Sequence, residues 1–512
     1  MTADINSQEL KTIINKKDWD QLLQYVKPKY FVREGSEAMP DASILAQMCQ
    51  LLLSEDTSDE IKILCLKCVG NSCIDSYKCK RHTIKNVESV KYSKNLYDEL
   101  VESDLCKQDG DCDYPHDSHF PYDGVIEWAV DYIKTHGNFR ERLFEPKLDI
   151  FRLSVQFLSN LLFMQGRSNA TFADNDTLSC LNCNNLKLAI LRYTQYGDFI
   201  TALVVADVAC IYVYNALQTN YLTMDEKDLC KLLLKPSDNM IPAAIDALFF
   251  LLRRPNVFED VYSSMTMSDK ILLLDIIHDY YVWESWESNN TVLKKESAEF
   301  LALTFCKKSD LILKTVDTYV NSVDPTEIIL ILHILGFLTI RCEISENVRC
   351  LLINCKYLLM SLHMMGKEAD NYFTPITQLS KSAPHAPGRS EAREALLGDP
   401  EHHPAYGFKA GLIRVIANVV YRNKICQDLF REIDGIPLLL DCTSIDARNP
   451  LISQWTTLAL RNLCEDNPEN QEIIKKCKKT GVSDNPELKE MGLTLHEDAD
   501  GKSIRIAPLQ RD

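Results

Sequence analysis

Glycine is scarce in this chain, at 17 of 512 residues, too few for the tight turns of a many-stranded sheet protein. Positive charge is also short: 56 Lys and Arg against 73 Asp and Glu leave a formal charge of -17. That balance excludes a general nucleic-acid binder, whose phosphate contacts need concentrated Lys and Arg, and suits a basic or amphipathic partner surface. Phosphate loops, dinucleotide fingerprints, kinase motifs and nucleophile elbows are missing from their required contexts. The chain therefore reads as a non-enzyme with no cofactor. The opening MTADINSQELKTIINKKDWD has charges throughout and no apolar core, so it is not a secretory signal and the expected compartment is cytoplasmic. Long uninterrupted apolar runs are lacking as well. Phe199 to Leu217 carries Asp207 at its centre, and Glu327 to Ile340 is too short to span a bilayer; both read as buried helices, with no membrane insertion.

What the chain does have is apolar content, at 46%, and a period. ALRNLCEDNPENQEII, beginning at Ala459, overlays VIANVVYRNKICQDLF, beginning at Val415, with a shift of 44. Asn418 then meets Asn462, Asn423 meets Asn467, and Gln427 meets Gln471. A helical repeat of about 40–47 residues is the signature of armadillo or HEAT arrays. The punctuation separates the two. Leu412, Val415, Ile416 and Val419 share one helical face, and the chain turns at Asn423 into a second helix ending near Arg431. Pro437 opens a short helix, and Asn449-Pro450 starts a long one containing Trp455, Leu458 and Leu463. Asn467-Pro468-Glu469 caps the next. Short, short, long is the three-helix plan, so the fold class is all-α, an armadillo-like right-handed helical solenoid, with a HEAT-like array as the alternative. Upstream echoes place Asn71 and Asn160 after apolar runs. Their separation is 89, and from Asn160 to Asn418 it is 258, about two and six periods.

The layout follows from where the helical rhythm stops. Residues 1–365 form an N-terminal armadillo-like arm, interrupted by an acidic, Cys-containing insertion near 106–120 (CKQDGDCDYPHDSHF). Residues 366–407 lack apolar period and read as a mobile linker. Residues 408–480 form a C-terminal armadillo-like arm. In the tail, 481–512, alternating Leu493 and Leu495 face Ile504 and Ile506 around Asp500-Gly501, which is a hairpin pattern.

Two sets of residues are candidates for binding. Cys65, Cys68, Cys73, Cys79 and His82 offer metal-ligand types, as do Cys180 and Cys183, but helical spacing makes Cys65 and Cys68 core thiols. Cys106, Cys112, His116 and His119 share a loop where zinc ligands could converge, which supports an alternative reading as a metal-responsive regulator. His333, alone in an apolar helix, reads as a core residue. The second set lies on the long third helices, which line the concave face of an armadillo array. Arg414, Asn418, Arg461 and Asn462 are the candidate partner-binding residues there, with Trp455 packed beneath. A recurring asparagine on that helix serves either to bind the backbone of an extended peptide or to satisfy backbone groups at a junction between repeats.

From Gly407 to Gln471 the sequence GFKAGLIRVIANVVYRNKICQDLFREIDGIPLLLDCTSIDARNPLISQWTTLALRNLCEDNPENQ resembles the C-terminal domain of the ataxin-10 family, and the likeness continues into GVSDNPELKEMGLTL. The resemblance implies a non-catalytic armadillo-like scaffold with roles in neuron survival, neurite outgrowth and cytokinesis. It also implies a cytoplasmic, perinuclear location reaching the centrosome, ciliary base or midbody. Implied partners are O-linked N-acetylglucosamine transferase and a heterotrimeric G-protein beta subunit, together with self-association into a homo-oligomer.

Overall fold

The computed structural model describes residues 5–32, 42–73, 122–137, 146–167, 181, 183–193, 200–218, 225–283, 293–315, 325–341, 346–368, 371, 373–375, 406–444, 446–476, 493–497 and 504–508. The chain forms two compact units, Met1–Leu251 and Leu252–Asp512. Both are built from helices stacked on helices, an all-α helical solenoid.

The first unit comprises α1 (Ser7–Asn15), α2 (Trp19–Tyr25), α3 (Ala42–Leu53), α4 (Asp59–Ser72), α5 (Asp123–His136), α6 (Lys147–Arg167), α7 (Asn184–Tyr193), α8 (Ile200–Gln218), α9 (Glu226–Asp238) and α10 (Pro242–Leu252), at whose end the division falls. Short polar side chains start several of these: Asn6 accepts from the N–H groups of Gln8 and Glu9, and Asp225 from those of Lys227 and Asp228. Such caps satisfy donors that have no partner within the helix. The long helices α4, α6 and α8 lie side by side over a core that includes Leu66, Phe151, Phe157, Leu161 and Tyr212. α8 is the first apolar run noted in the sequence. Among the described residues no helix is long and apolar enough to cross a membrane.

The second unit continues with α11 (Val257–Ser264), α12 (Met267–Trp283), α13 (Lys295–Lys308), α14 (Thr326–Arg341), α15 (Val348–Glu368), α16 (Phe408–Val420), α17 (Lys424–Glu432), α18 (Gly435–Asp441), α19 (Ile452–Cys464) and α20 (Pro468–Lys476). Here α12, α14, α16 and α19 stack in sequence, with the shorter helices behind them. The run α17, α18, α19 is the short, short, long plan: α17 follows the cap Asn423, α18 begins at Gly435, two residues before Pro437, and α19 begins two residues after Asn449-Pro450. Leu412, Val415, Ile416 and Val419 are all buried. The tail forms an antiparallel pair, β1 (Leu493–Glu497) with β2 (Ile504–Pro508), in which Leu495 faces Ile506 and Glu497 faces Ile504.

The 44-residue echo is a repeated local geometry. Arg422 and Asp466 both take positive φ, at 50° and 51°, and the next residue, Asn423 or Asn467, caps the following helix through the N–H of Cys426 or Asn470. The Gln427 amide then donates back to the carbonyl of Val420, and the Gln471 amide to that of Cys464. The helix starts also match: Gly407 and Leu451 precede α16 and α19 with φ of 72° and 61°.

α15 runs to Glu368, and α14 and α15 both pack on α16 across the 366–407 segment. The described start of that segment is held in place. Phe373 is buried, Lys409 donates through Nζ to its carbonyl at 2.7 Å, and Arg448 donates to the carbonyls of Asn371 and Thr374 at 2.6 and 2.8 Å. The rest of the segment, 376–405, lies outside the described residues.

Candidate protein-interaction surface

On the stacked long helices, one register position recurs. The Asn462 amide donates to the carbonyl of Ala417 at 3.0 Å. Asn418, its equivalent one repeat earlier, donates to the carbonyl of Gly336 at 3.0 Å and to Thr339 Oγ1 at 2.9 Å. In the first unit Asn160 donates to Gly70 at 3.1 Å, and Asn215 to Ser159 at 3.3 Å. Asn71 reaches the carbonyl of Pro28 in a short 3-10 turn. Each acceptor on a long helix is the residue just before the preceding register position, so every rung has the same geometry. A side-chain amide thereby fills the free lone pair of a helical carbonyl at the junction between two repeats. The residues that accept these amides on long helices are all small: Gly70, Ser159, Gly336 and Ala417. Asn215 escapes a sequence reading because it follows Asn160 by 55 residues rather than 44.

One rung in the second unit is aromatic. At the position of Asn418, α14 carries Phe337, whose ring stacks on Tyr281 of α12 at 5.7 Å between centroids and 12° between planes. Stacked rings replace the amide bond there with dispersion and quadrupole contacts.

The structure places the four candidate partner-binding residues at different depths. Asn462 is buried and Asn418 half-buried, with their amides committed to the rungs. Arg461 is exposed. Arg414 is half-buried, with its guanidinium 4.3 Å from the Phe337 ring centroid and 5.4 Å from that of Trp455. Trp455 is itself half-buried and serves as one wall of this cation–π clamp. Gly336 makes room for the clamp: a Cβ there would come within 3.1 Å of Arg414 Nε. His333, one turn before Phe337, is half-buried and its ring lies 5.5 Å from that of His278. Burial, and then the nearby His278 and Arg414, push the His333 imidazole down to about 4. Exposed Ile340 and Tyr421 extend the same face toward the ends of α14 and α16.

Behind this face, a polar cluster ties α17 to α20. Gln427 donates to the carbonyls of Asn462 and Glu465, Asn467 donates to Gln427 and Asp428, and Arg431 reaches Asp428, Asn470 and Glu469.

The sequence-derived metal candidates divide. Cys65, Cys68 and Cys73 are buried, and burial pushes the Cys65 and Cys68 thiols up, as it does Cys49, to about 12. Their burial on α3 and α4 matches the core reading that helical spacing gave Cys65 and Cys68. Cys183 sits apart, its thiol lowered chiefly by the backbone N–H of Leu186 at the start of α7. Cys79, His82, Cys106, Cys112, His116, His119 and Cys180 lie outside the described residues. Among the described residues, Asp275, His278 and Asp279 on α12 bring their ligand atoms within 4.8 Å of one another, with both carboxylates exposed.

Comparison with known proteins places the chain among relatives. The family described as the spinocerebellar ataxia type 10 protein domain matches residues 408–506. Ataxin-10 of Xenopus tropicalis is 30% identical over 399 residues, covering 74% of this chain and 75% of that protein. Ataxin-10 of Macaca fascicularis is 30% identical over 467 residues, covering 87% and 82%. The ataxin-10 homolog of Dictyostelium discoideum is 47% identical over 89 residues, covering 17% and 15%.

Proposed function

The chain belongs to the ataxin-10 family, and on that premise we propose that it is a non-catalytic protein–protein interaction scaffold. The family and the all-helical solenoid both fit a non-enzyme. The observation that carries the reading is the face shared by α14, α16 and α19. Ile340, Tyr421 and Arg461 are exposed on it, and Phe337, Arg414 and Trp455 half-exposed, while the rungs beneath keep the three helices in one register. Aromatic and arginine side chains on a rigid support are the residue types that anchor protein interfaces.

Within this reading the partners are those the family resemblance implies, O-linked N-acetylglucosamine transferase and a G-protein beta subunit, along with self-association. The implied setting is the cytoplasm, with roles in neuron survival, neurite outgrowth and cytokinesis and a location at the centrosome, ciliary base or midbody. The test is binding of the purified chain to each of the two purified partners. Tyr421→Ser with Arg461→Glu removes exposed contacts and leaves the rungs in place. Binding at least tenfold weaker with an unchanged melting temperature is the expected result. Full binding by the double variant would move the contact to another face, and no binding by the wild type would remove these partners from the reading.

A further inference from the structure

The partner of this face has to answer an unpaired cation. Among the described residues Arg414 makes no hydrogen bond and no ion pair; it packs on the rings of Phe337 and Trp455, and its Nε is buried without an acceptor. A guanidinium carries five donors, and a desolvated one is normally matched by a carboxylate or phosphate. Among the described residues the surroundings supply none. α16 and α19 contain no acidic residue, and the acid of α14, Glu327, is buried and bound to Lys308 and Tyr262. Arg461 adds a second exposed positive charge. Toward α20, the next carboxylate is Glu465, 3.7 Å from Arg422. On the opposite side, Asp275 and Asp279 flank His278 on α12. This strip is therefore cationic although the whole chain is at -17.

We propose that the strip formed by Phe337, Arg414, Trp455 and Arg461 seats an extended peptide segment rich in Asp and Glu, with one carboxylate pairing end-on with Arg414. The inference rests on the scaffold reading and names the chemistry of its partner. The two rings lie against the guanidinium, at 4.3 and 5.4 Å, and its terminal nitrogens form the fork that a planar carboxylate meets bidentately. Arg461 pairs with a second acid along the segment, and exposed Ile340 and Tyr421 offer apolar contact between charges. The rings also fix the guanidinium in advance, so that less side-chain freedom is lost on binding.

A random dodecamer peptide library, displayed and selected against the full chain, tests this directly. The wild type is expected to enrich sequences with several Asp or Glu residues. A synthetic peptide of the enriched sequence should bind at least tenfold more weakly to Arg414→Met, which keeps the buried stem, and Arg414→Lys should retain the acidic preference at reduced affinity. Each variant is checked by circular dichroism and melting. Enrichment of basic or neutral peptides, or equal binding by Arg414→Met, overturns the assignment while the scaffold reading stands. Tighter binding after replacing the central Glu by phosphoserine than with Glu itself identifies phosphate as the occupant and also overturns it. If the wild type enriches no peptide at all, both the assignment and the peptide-groove form of the scaffold reading fall.

Discussion

Asn462 is 6% exposed, and its amide is spent on the carbonyl of Ala417. Asn462→Ala removes one buried hydrogen bond, at a cost of about 1–2 kcal/mol. Asn462→Asp places a charge and an acceptor against that carbonyl and costs about 3 kcal/mol or more. Urea titration of the two variants should show this order at an unchanged slope. His333 supplies a pH test of the same face. In the fold its imidazole titrates near 4, against about 6.5 when unfolded, so the unfolded chain binds more protons between those values. The stabilisation is present above pH 6.5 and is lost as pH falls toward 4, by an amount on the order of 1–3 kcal/mol for this half-buried group. His333→Phe should flatten that part of the stability profile. The clamp around Arg414 could not be read from sequence in the same way. Phe337 and Trp455 belong to different repeats, and neither stands at a helical interval from Arg414; only the stacking of α14, α16 and α19 brings them together.

At the scale of the element, sequence and structure agree best where the backbone has a special requirement. Asn423 and Asn467 mark helix starts because their side-chain acceptors cap the next N–H groups, and Asn449-Pro450 marks the turn before α19. Helices α17 to α20 were legible for that reason. The long helices of the first unit carry fewer such marks, and their register depends on contacts between segments far apart in the chain, so only Asn71 and Asn160 stood out there. The start of α19 departs from the rule. Leu451 precedes that helix with φ 61° and is 59% exposed, whereas its repeat equivalent before α16 is Gly407. A branched side chain in the left-handed region is strained, and little packing is lost by removing it. Leu451→Gly should leave helicity unchanged and raise stability by about 0.5–1 kcal/mol, the relief exceeding the backbone entropy that glycine adds to the unfolded chain; a fall in the urea midpoint would count against strain at this residue.

For the molecule as a whole, the second unit does not depend on an unbroken chain between Pro375 and Tyr406. α14 and α15 pack directly on α16, and Lys409 and Arg448 hold the carbonyls of Asn371, Phe373 and Thr374. After cleavage at a protease site inserted within 376–405, the two fragments should elute together on size exclusion and separate only in denaturant. Separation in buffer would show that these contacts do not suffice.

The rungs also set a pattern that changes at the last of the described long helices. On the helices that receive an amide rung, the residue before the register position is small, as Gly336 and Ala417 are on α14 and α16. On α19 that residue is Arg461, which is exposed. One arginine in a column of small residues puts a charge where the other rungs have none, on the surface proposed to receive a partner.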